Sequence, residues 1–470
     1  MKRIILLPLL LPAIALFSQS VDFSSGRLYA TPEFYYYIIG KVDENILVWQ
    51  TNTRKRYNSN ILVYNEQLQL TNTVNTGILK SFTDPQPWFF VSKNSFSVIY
   101  NYRDNHKSLS YKLAAFDGSG NLKSIETLYS DRVKKDNFLQ LSYTILQSNN
   151  KKNTCFVEIG YNIKNHLLNL NYSFIDDKIV HDDLVVSVDL NKKKLASINI
   201  DNEKNLFLVF EENTDSLTNI EIIKKNFSSS LMLITDKTIK SGGFKDQAVH
   251  IVQNASGYIF FGELNDYGDK NLFVWQIDNG LNDIKDDTIV NKKLSGLLSF
   301  IPSGNNMPNT FVTWHDKVST RQQNYFRSVY EFRKKAGYTS ALSNSSDEYF
   351  AKVPLENIEL FRIDSLNSIL WSKIFTDSAK GKTSTNLDNS IITEVNKDMH
   401  IIYESQINNQ PRFLNHMIVN ANGSVFEKNF LTWDTKYKYI LNQGKLIDGK
   451  TLIVPAVKGK FVEFAKLELE

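Results

Sequence analysis

The chain has 470 residues, of which 42% are hydrophobic and 12% aromatic, with 30 Phe and 22 Tyr. That apolar content supports a large core, Phe and Tyr favour half-buried pleated surfaces, and 10 Pro with 20 Gly exclude a collagen-like or low-complexity class. A net charge of +4, partly from Lys2 and Arg3, falls short of the basic bias of a nucleic-acid binder, and a single cysteine, Cys155, excludes an intramolecular disulfide.

The N-terminus has the layout of an export leader: basic Lys2 and Arg3, an apolar run from Ile4 to Phe17 broken by Pro8 and Pro12, then Ser18-Gln19-Ser20 as a small polar exit. It predicts a leader over residues 1–19, cleavage near Ser18 to Ser20, and export to the periplasm, outer surface or medium. The run is short for a membrane span and no later stretch approaches one, so no transmembrane segment is expected after leader removal. The junction has no cysteine for lipid attachment.

From there the chain repeats itself. Short apolar runs ending near an aromatic recur as Leu47-Val48-Trp49, Val98-Ile99-Tyr100, Val157-Glu158-Ile159, Leu208-Val209-Phe210, Ile259-Phe260-Phe261, Val312-Thr313-Trp314, Ile401-Ile402-Tyr403 and Ile453-Val454. The spacing is about 51 residues with one longer gap, within the range of repeat architectures. A strand is predicted before each run: Phe34–Ile39, Trp88–Ser92, Leu139–Ile145, Ala196–Ile200, Ala248–Val252, Leu297–Ile301, Ser390–Val395 and Lys438–Leu441. Another follows each, as in Asn60–Tyr64, Ser108–Phe116, Leu167–Phe174 and Asn271–Ile277. A turn led by Asp or Asn comes next, as in Asp117-Gly118-Ser119-Gly120-Asn121 and Asn420-Ala421-Asn422-Gly423, because these side chains bond their own backbone and Gly takes positive φ.

Each unit is therefore read as strands A, B, C and D. The segment Ile358-Glu359-Leu360-Phe361-Arg362-Ile363-Asp364, with Ile369-Leu370-Trp371-Ser372-Lys373, resembles the C–D hairpin of exported bacterial β-propeller repeats, and the resemblance implies architecture rather than activity. The expectation is an all-β fold: one eight-bladed β-propeller over residues 20–470, with four-stranded antiparallel blades. A long array of β-sandwiches is the structural alternative. The last unit lacks a fourth strand and Val21 to Tyr29 is left over, so this segment is predicted to pair beside Phe461 to Leu467 and close the ring.

Catalytic templates are absent. There is no Gly-x-Ser-x-Gly elbow, no His-Glu-x-x-His, no EF-hand loop and no sialidase-type Asp-box, so no metal, cofactor or catalytic residue is assigned. Polar residues after the strand B aromatics include Glu211, Glu263, His315, Asp316 and Glu404. The D–A loops carry Asp84, Lys245, Asp246 and Asp434 among others. In a propeller these positions share one face, where carboxylates and a histidine suit acid–base work and mixed charge suits a polar ligand; strand ends also turn polar simply where they meet water. The sixth unit has an insertion at 316–356 that holds Arg321, Tyr325, Arg327 and Arg333, residue types enriched at binding hot spots.

Three functions remain open from sequence. The first is a non-catalytic exported propeller that binds a protein or glycan on its B–C/D–A face. The second is a carbohydrate-active hydrolase or lyase using carboxylates of that face. The third is a structural component of an envelope assembly.

Overall fold

Period-two runs bounded by turn chemistry become antiparallel strands throughout. The structure, a computed structural model, describes residues 18–469 except 27, 30–33, 53–58, 77, 79–86, 105–107, 133–138, 149–152, 163, 176–178, 191–192, 214–217, 226–230, 240–243, 255–256, 267–268, 279–288, 294–296, 302–309, 317–354, 364–367, 377–382, 408–411 and 432–436. Among the described residues the only helical element is the 3-10 turn Leu441–Gln443, and no helix is long and apolar enough to cross a membrane.

The chain divides into two compact units, residues 136–376 and residues 1–135 with 377–470. The first of these holds four sheets, each a meander of consecutive strands. They comprise Leu139–Gln147, Thr154–Asn162, Leu167–Ile175 and Ile179–Asp189; Lys194–Ile200, Leu206–Asn213, Thr218–Lys225 and Leu231–Ile239; Phe244–Asn254, Gly257–Asp266, Asp269–Asp278 and Ile289–Lys293; and Leu297–Ile301, Thr310–Asp316, Leu355–Ile363 and Ile369–Thr376. Neighbouring sheets bury their facing side chains. Leu170, Tyr172 and Phe174 pack with Leu206, Leu208 and Phe210. Phe207 and Val209, on the other face of that strand, pack with Phe260, Phe273 and Trp275. Phe261 and Val274 then meet Phe361 and Ile363. Strand alternation thus gives each inner sheet two buried faces. Cys155 is fully buried and burial pushes its thiol up, which makes it a small core hydrophobe.

The other unit has two plain meanders: Phe34–Val42, Asn45–Asn52, Ser59–Tyr64 and Leu70–Asn75; and Trp88–Val91, Ser95–Asp104, Ser108–Asp117 and Leu122–Arg132. Trp49 is wedged between them, 5.5 Å from the Phe89 ring and edge-on to Phe116 at 6.1 Å. Its strand B position thus serves packing between sheets. The Asp-led turn forms as the sequence predicts. Asp117 Oδ1 accepts the N–H groups of Ser119 at 2.9 Å and Asn121 at 2.8 Å, and Gly120 takes φ +82°. Burial raises the Asp117 pKa, but these bonds and the Asn121 amide outweigh it and hold the carboxyl below its usual value. Asn420 closes its own turn in the same way on Asn422 and Ser424.

The remaining strands of this unit form one ten-stranded sheet. One part is the meander Thr383–Val395, Asp398–Ile407, Arg412–Val419 and Val425–Leu431. The other part has Lys438–Tyr439 and Lys445–Leu446 as strand A, Thr451–Lys458 as B and Phe461–Glu468 as C. Its fourth position is filled from the N-terminus, in the predicted place. Val21, Asp22 and Phe23 pair antiparallel with Leu467, Lys466 and Ala465, and Leu28 and Tyr29 pair with Val462 and Phe461. Val21 is buried, and the Phe23 ring stacks on Tyr437 at 4.2 Å. Ser18, Gln19 and Ser20 pair parallel with Asn429, Phe430 and Leu431 and so join the two parts.

Candidate functional site

In an antiparallel meander the B–C and D–A connections fall at one end of every sheet, and the A–B and C–D connections at the other. The polar residues after the strand B aromatics lie at the first end, and those whose side chains the structure describes are used inside the protein. Gln50 Oε1 accepts from Asn60 Nδ2 at 2.9 Å, and Gln50 Nε2 donates to the Tyr36 hydroxyl at 3.2 Å. Tyr36 donates on to the Tyr29 carbonyl at 3.0 Å. Burial pushes the Tyr36 hydroxyl pKa up, against the opposing effect of Gln50. One chain of bonds therefore ties strands A, B and C to the N-terminal segment.

Glu211 and Glu404 are each only 2% exposed. Glu211 is paired in register with Lys194 on strand A, whose Nζ donates to Glu211 Oε1 at 3.2 Å. Glu404 Oε1 accepts the backbone N–H of Tyr439, in the other part of the same ten-stranded sheet, at 2.8 Å. Each buried carboxylate thus has a donor, Lys194 Nζ or the Tyr439 N–H, as burying a charge requires.

Other predicted residues are placed by backbone alone. Glu263 stands opposite Leu272, His315 opposite Asn357 and Asp316 opposite Leu355. Lys245 and Asp246, expected in a D–A loop, fall inside the strand Phe244–Asn254. The pairing there jumps between Phe244 and Val249, so the strand starts earlier than the apolar pattern shows and bulges through the charged residues. Asp84, Arg321, Tyr325, Arg327, Arg333 and Asp434 lie outside the described residues. Trp314 is in a described strand, and Tyr403 is half-buried with its hydroxyl pushed up to about 12 by burial and then by Glu427.

The opposite end holds a cavity that the sequence does not announce. Its volume is about 310 Å³, and Lys41, Glu66, Asp448, Lys450, Lys466 and Glu468 contribute to its lining. Lys41 pairs with Glu66, and Lys466 with Glu468 at 3.0 Å. Asp448 accepts the N–H of Thr451 at 2.7 Å and of Lys450 at 3.2 Å, and the Thr451 hydroxyl lies 2.9 Å from it. The charges balance and largely neutralise one another. No local motif marks the cavity, because its residues come from both ends of the chain.

A second feature is also silent in the sequence. His400 Nδ1 and His416 Nε2 lie 2.8 Å apart on adjacent strands, and both rings are buried. One imidazole donates and the other accepts, the roles being set by the tautomers. Among the described residues no group of three or more His, Cys, Asp or Glu could hold a metal ion.

No protein-family model matches the chain, and no curated protein matches it. Solved structures with a similar course include the polysaccharide lyase Uly1, at 8% identity and TM-score 0.40 over 95% of this chain and 100% of that one. The Dos1 propeller has 10% identity and TM-score 0.40, over 97% of each chain. The Aleuria aurantia lectin, a six-bladed β-propeller with a fucose recognition mode, has 9% identity and TM-score 0.31, over 74% of this chain and 95% of that one. At these scores the likenesses assign no activity.

Proposed function

We propose that the chain is an exported eight-bladed β-propeller that binds a protein or glycan partner through its B–C/D–A end and performs no catalysis of its own. The observation that carries this reading is the burial of Glu211 and Glu404. A carboxylate acting as acid, base or nucleophile must reach the reacting bond. These two hold Lys194 and the Tyr439 N–H instead. The architecture is supported by four four-stranded meanders in residues 136–376 and, in the other unit, two more beside a ten-stranded sheet that holds a further meander and a last set of strands completed by the N-terminal segment. The insertion at 316–356, with Arg321, Tyr325, Arg327 and Arg333, is the proposed contact arm.

The test is capture of partners from envelope extracts and glycan arrays by the whole chain and by a chain lacking residues 317–354. The expected result is a partner or glycan retained by the former and weakened at least several-fold by the deletion, with the fold intact by circular dichroism. A polysaccharide-degrading activity that disappears in Glu211→Gln or Glu404→Gln would overturn the reading in favour of a carbohydrate-active enzyme.

A further inference from the structure

The N-terminal strand Ser18–Phe23 changes partner in its middle. Ser18 to Ser20 pair parallel with Asn429 to Leu431, and Val21 to Phe23 pair antiparallel with Ala465 to Leu467. The chain after this point is fixed by many contacts. Val21 lies in the core cluster with Tyr437, Leu452 and Leu467. Ser24 N–H donates to the Phe464 carbonyl at 2.8 Å, and its hydroxyl accepts the Phe464 N–H at 2.8 Å. Ser25 N–H reaches the Leu68 carbonyl, and the Ser25 hydroxyl accepts the Leu70 N–H. A cut after Val21 would remove a buried residue and a strand pair.

A leader is removed after small residues at the last and third-last positions, behind a short polar stretch. Ser18-Gln19-Ser20 meets both conditions, and the bond that follows is Ser20–Val21. Ala13-Ile14-Ala15 has small residues at the same spacing, but it lies within the apolar run with no polar exit and would leave Leu16 and Phe17 at the new terminus. We infer that Ser20–Val21 is the processing bond, and that it is cut before the sheet forms. The inference rests on the export part of the proposal above. In the reaction, water adds across the peptide bond, leaving a carboxylate on Ser20 and an ammonium on Val21. The bond lies between two residues held in separate ladders, Ser20 on Leu431 and Val21 on Leu467, so a protease cannot take it in extended form from the folded sheet. The processed chain then lacks the parallel pairing and leaves the Asn429–Leu431 edge open, while the antiparallel pairing that completes the last sheet is kept.

The experiment is expression of the full chain in a Gram-negative host, followed by intact mass and N-terminal sequencing of the exported fraction. A terminus at Val21 is expected. An exported chain that begins at Leu16, at Ser20 or beyond Val21 overturns this inference while the export reading stands; a full-length chain confined to the cytosol overturns both. Ser20→Tyr should abolish processing and Ala15→Tyr should leave it unchanged; the reverse pattern moves the bond to Ala15–Leu16 and sinks the proposal. For the order of events, full-length chain is offered to purified leader peptidase folded and urea-unfolded. The folded form should be cut about tenfold more slowly or less, because cleavage then waits on local opening. Equal rates would show that folding does not shield the bond.

Discussion

The sheet Leu139–Asp189 and the sheet that ends the chain reach the same four-position layout from opposite starting points. In the former, strands A to D follow one another, and the B–C ladder runs unbroken from Thr154 opposite Ile175 to Asn162 opposite Leu167. In the latter, B and C are an equally regular hairpin, Thr451 opposite Glu468 to Lys458 opposite Phe461, but the outer strand comes from the start of the chain. The Ser24–Phe464 bond spans 440 residues. Local strands pair at small entropic cost, and distant ones only after the chain between them is ordered. The central hairpin is thus the constant part of each sheet. The outer strand is the part that can be supplied from elsewhere.

The largest effect should follow from removing residues 18–29. The loss of buried Val21, the Phe23–Tyr437 stack and the outer ladder should cost about 5 kcal/mol or more. Urea unfolding should show a lower midpoint, and a peptide of Val21 to Tyr29 added in trans should restore part of it. An unchanged midpoint would mean that the terminal sheet does not depend on its distant strand. Trp275→Ala gives the contrast in a sheet of consecutive strands. The ring is fully buried beside Phe260, so the loss should be about 3–5 kcal/mol. No peptide should rescue it, because no strand is missing.

The two buried carboxylates sharpen the comparison at a smaller scale. Glu404→Ala orphans a buried backbone N–H and should cost about 1–3 kcal/mol, whereas Glu404→Gln keeps an acceptor and should cost less. Glu211→Ala releases the Lys194 side chain, which is 54% exposed and can turn to water, so its loss should be the smaller of the two alanine effects. Thermal unfolding of the three variants measures this. A Glu211→Ala effect exceeding that of Glu404→Ala would show that the Lys194 pair matters more than its exposure implies.

Strands were legible wherever the signal is local. Leu297–Ile301 is found within the bounds its apolar run marks, and the turns of Asp117 and Asn420 follow from side chains that bond the backbone two and four residues on. The place of Val21–Tyr29 was legible too, because a missing strand and a spare one point at each other. What the sequence could not show depends on distant neighbours. Nothing near Glu211 or Glu404 in the chain says that strand A, or the far part of the ten-stranded sheet, covers it. The partner switch at Ser20 requires two sheet edges to meet at one residue. The Lys41–Asp448 cavity likewise forms only when separated strands come together. A bulge hides in a charged stretch, as at Lys245, because alternation there carries no hydrophobic mark.

The smallest predicted effect compares two loops whose carboxylates bond their own residues, one of them also reached by a cation from far along the chain. Asp448 stands in the A–B loop of the terminal sheet. Burial pushes its pKa up, but the Thr451 hydroxyl, the N–H groups of Thr451 and Lys450, and the Lys41 charge together hold it below the usual value. In the unfolded chain the group titrates at about 3.9, so between that value and its lower folded value the unfolded state binds more protons. The contribution to stability is therefore present above about pH 4 and is lost as pH falls through the folded value. Asp448→Asn should remove that dependence, so that between about pH 5 and 3 the variant loses less stability than the parent, by a few tenths of a kcal/mol. Asp117 has a lowered pKa from the same kind of turn, but its bonds come from Ser119 and Asn121 and the charge that helps comes from Lys123, all within six residues. Truncating residues 18–29 loosens the terminal sheet and should flatten the Asp448 contribution while leaving that of Asp117 in place. If both flatten together, the two turns report one global unfolding step, and the terminal sheet is not separately weakened by the loss of its borrowed strand.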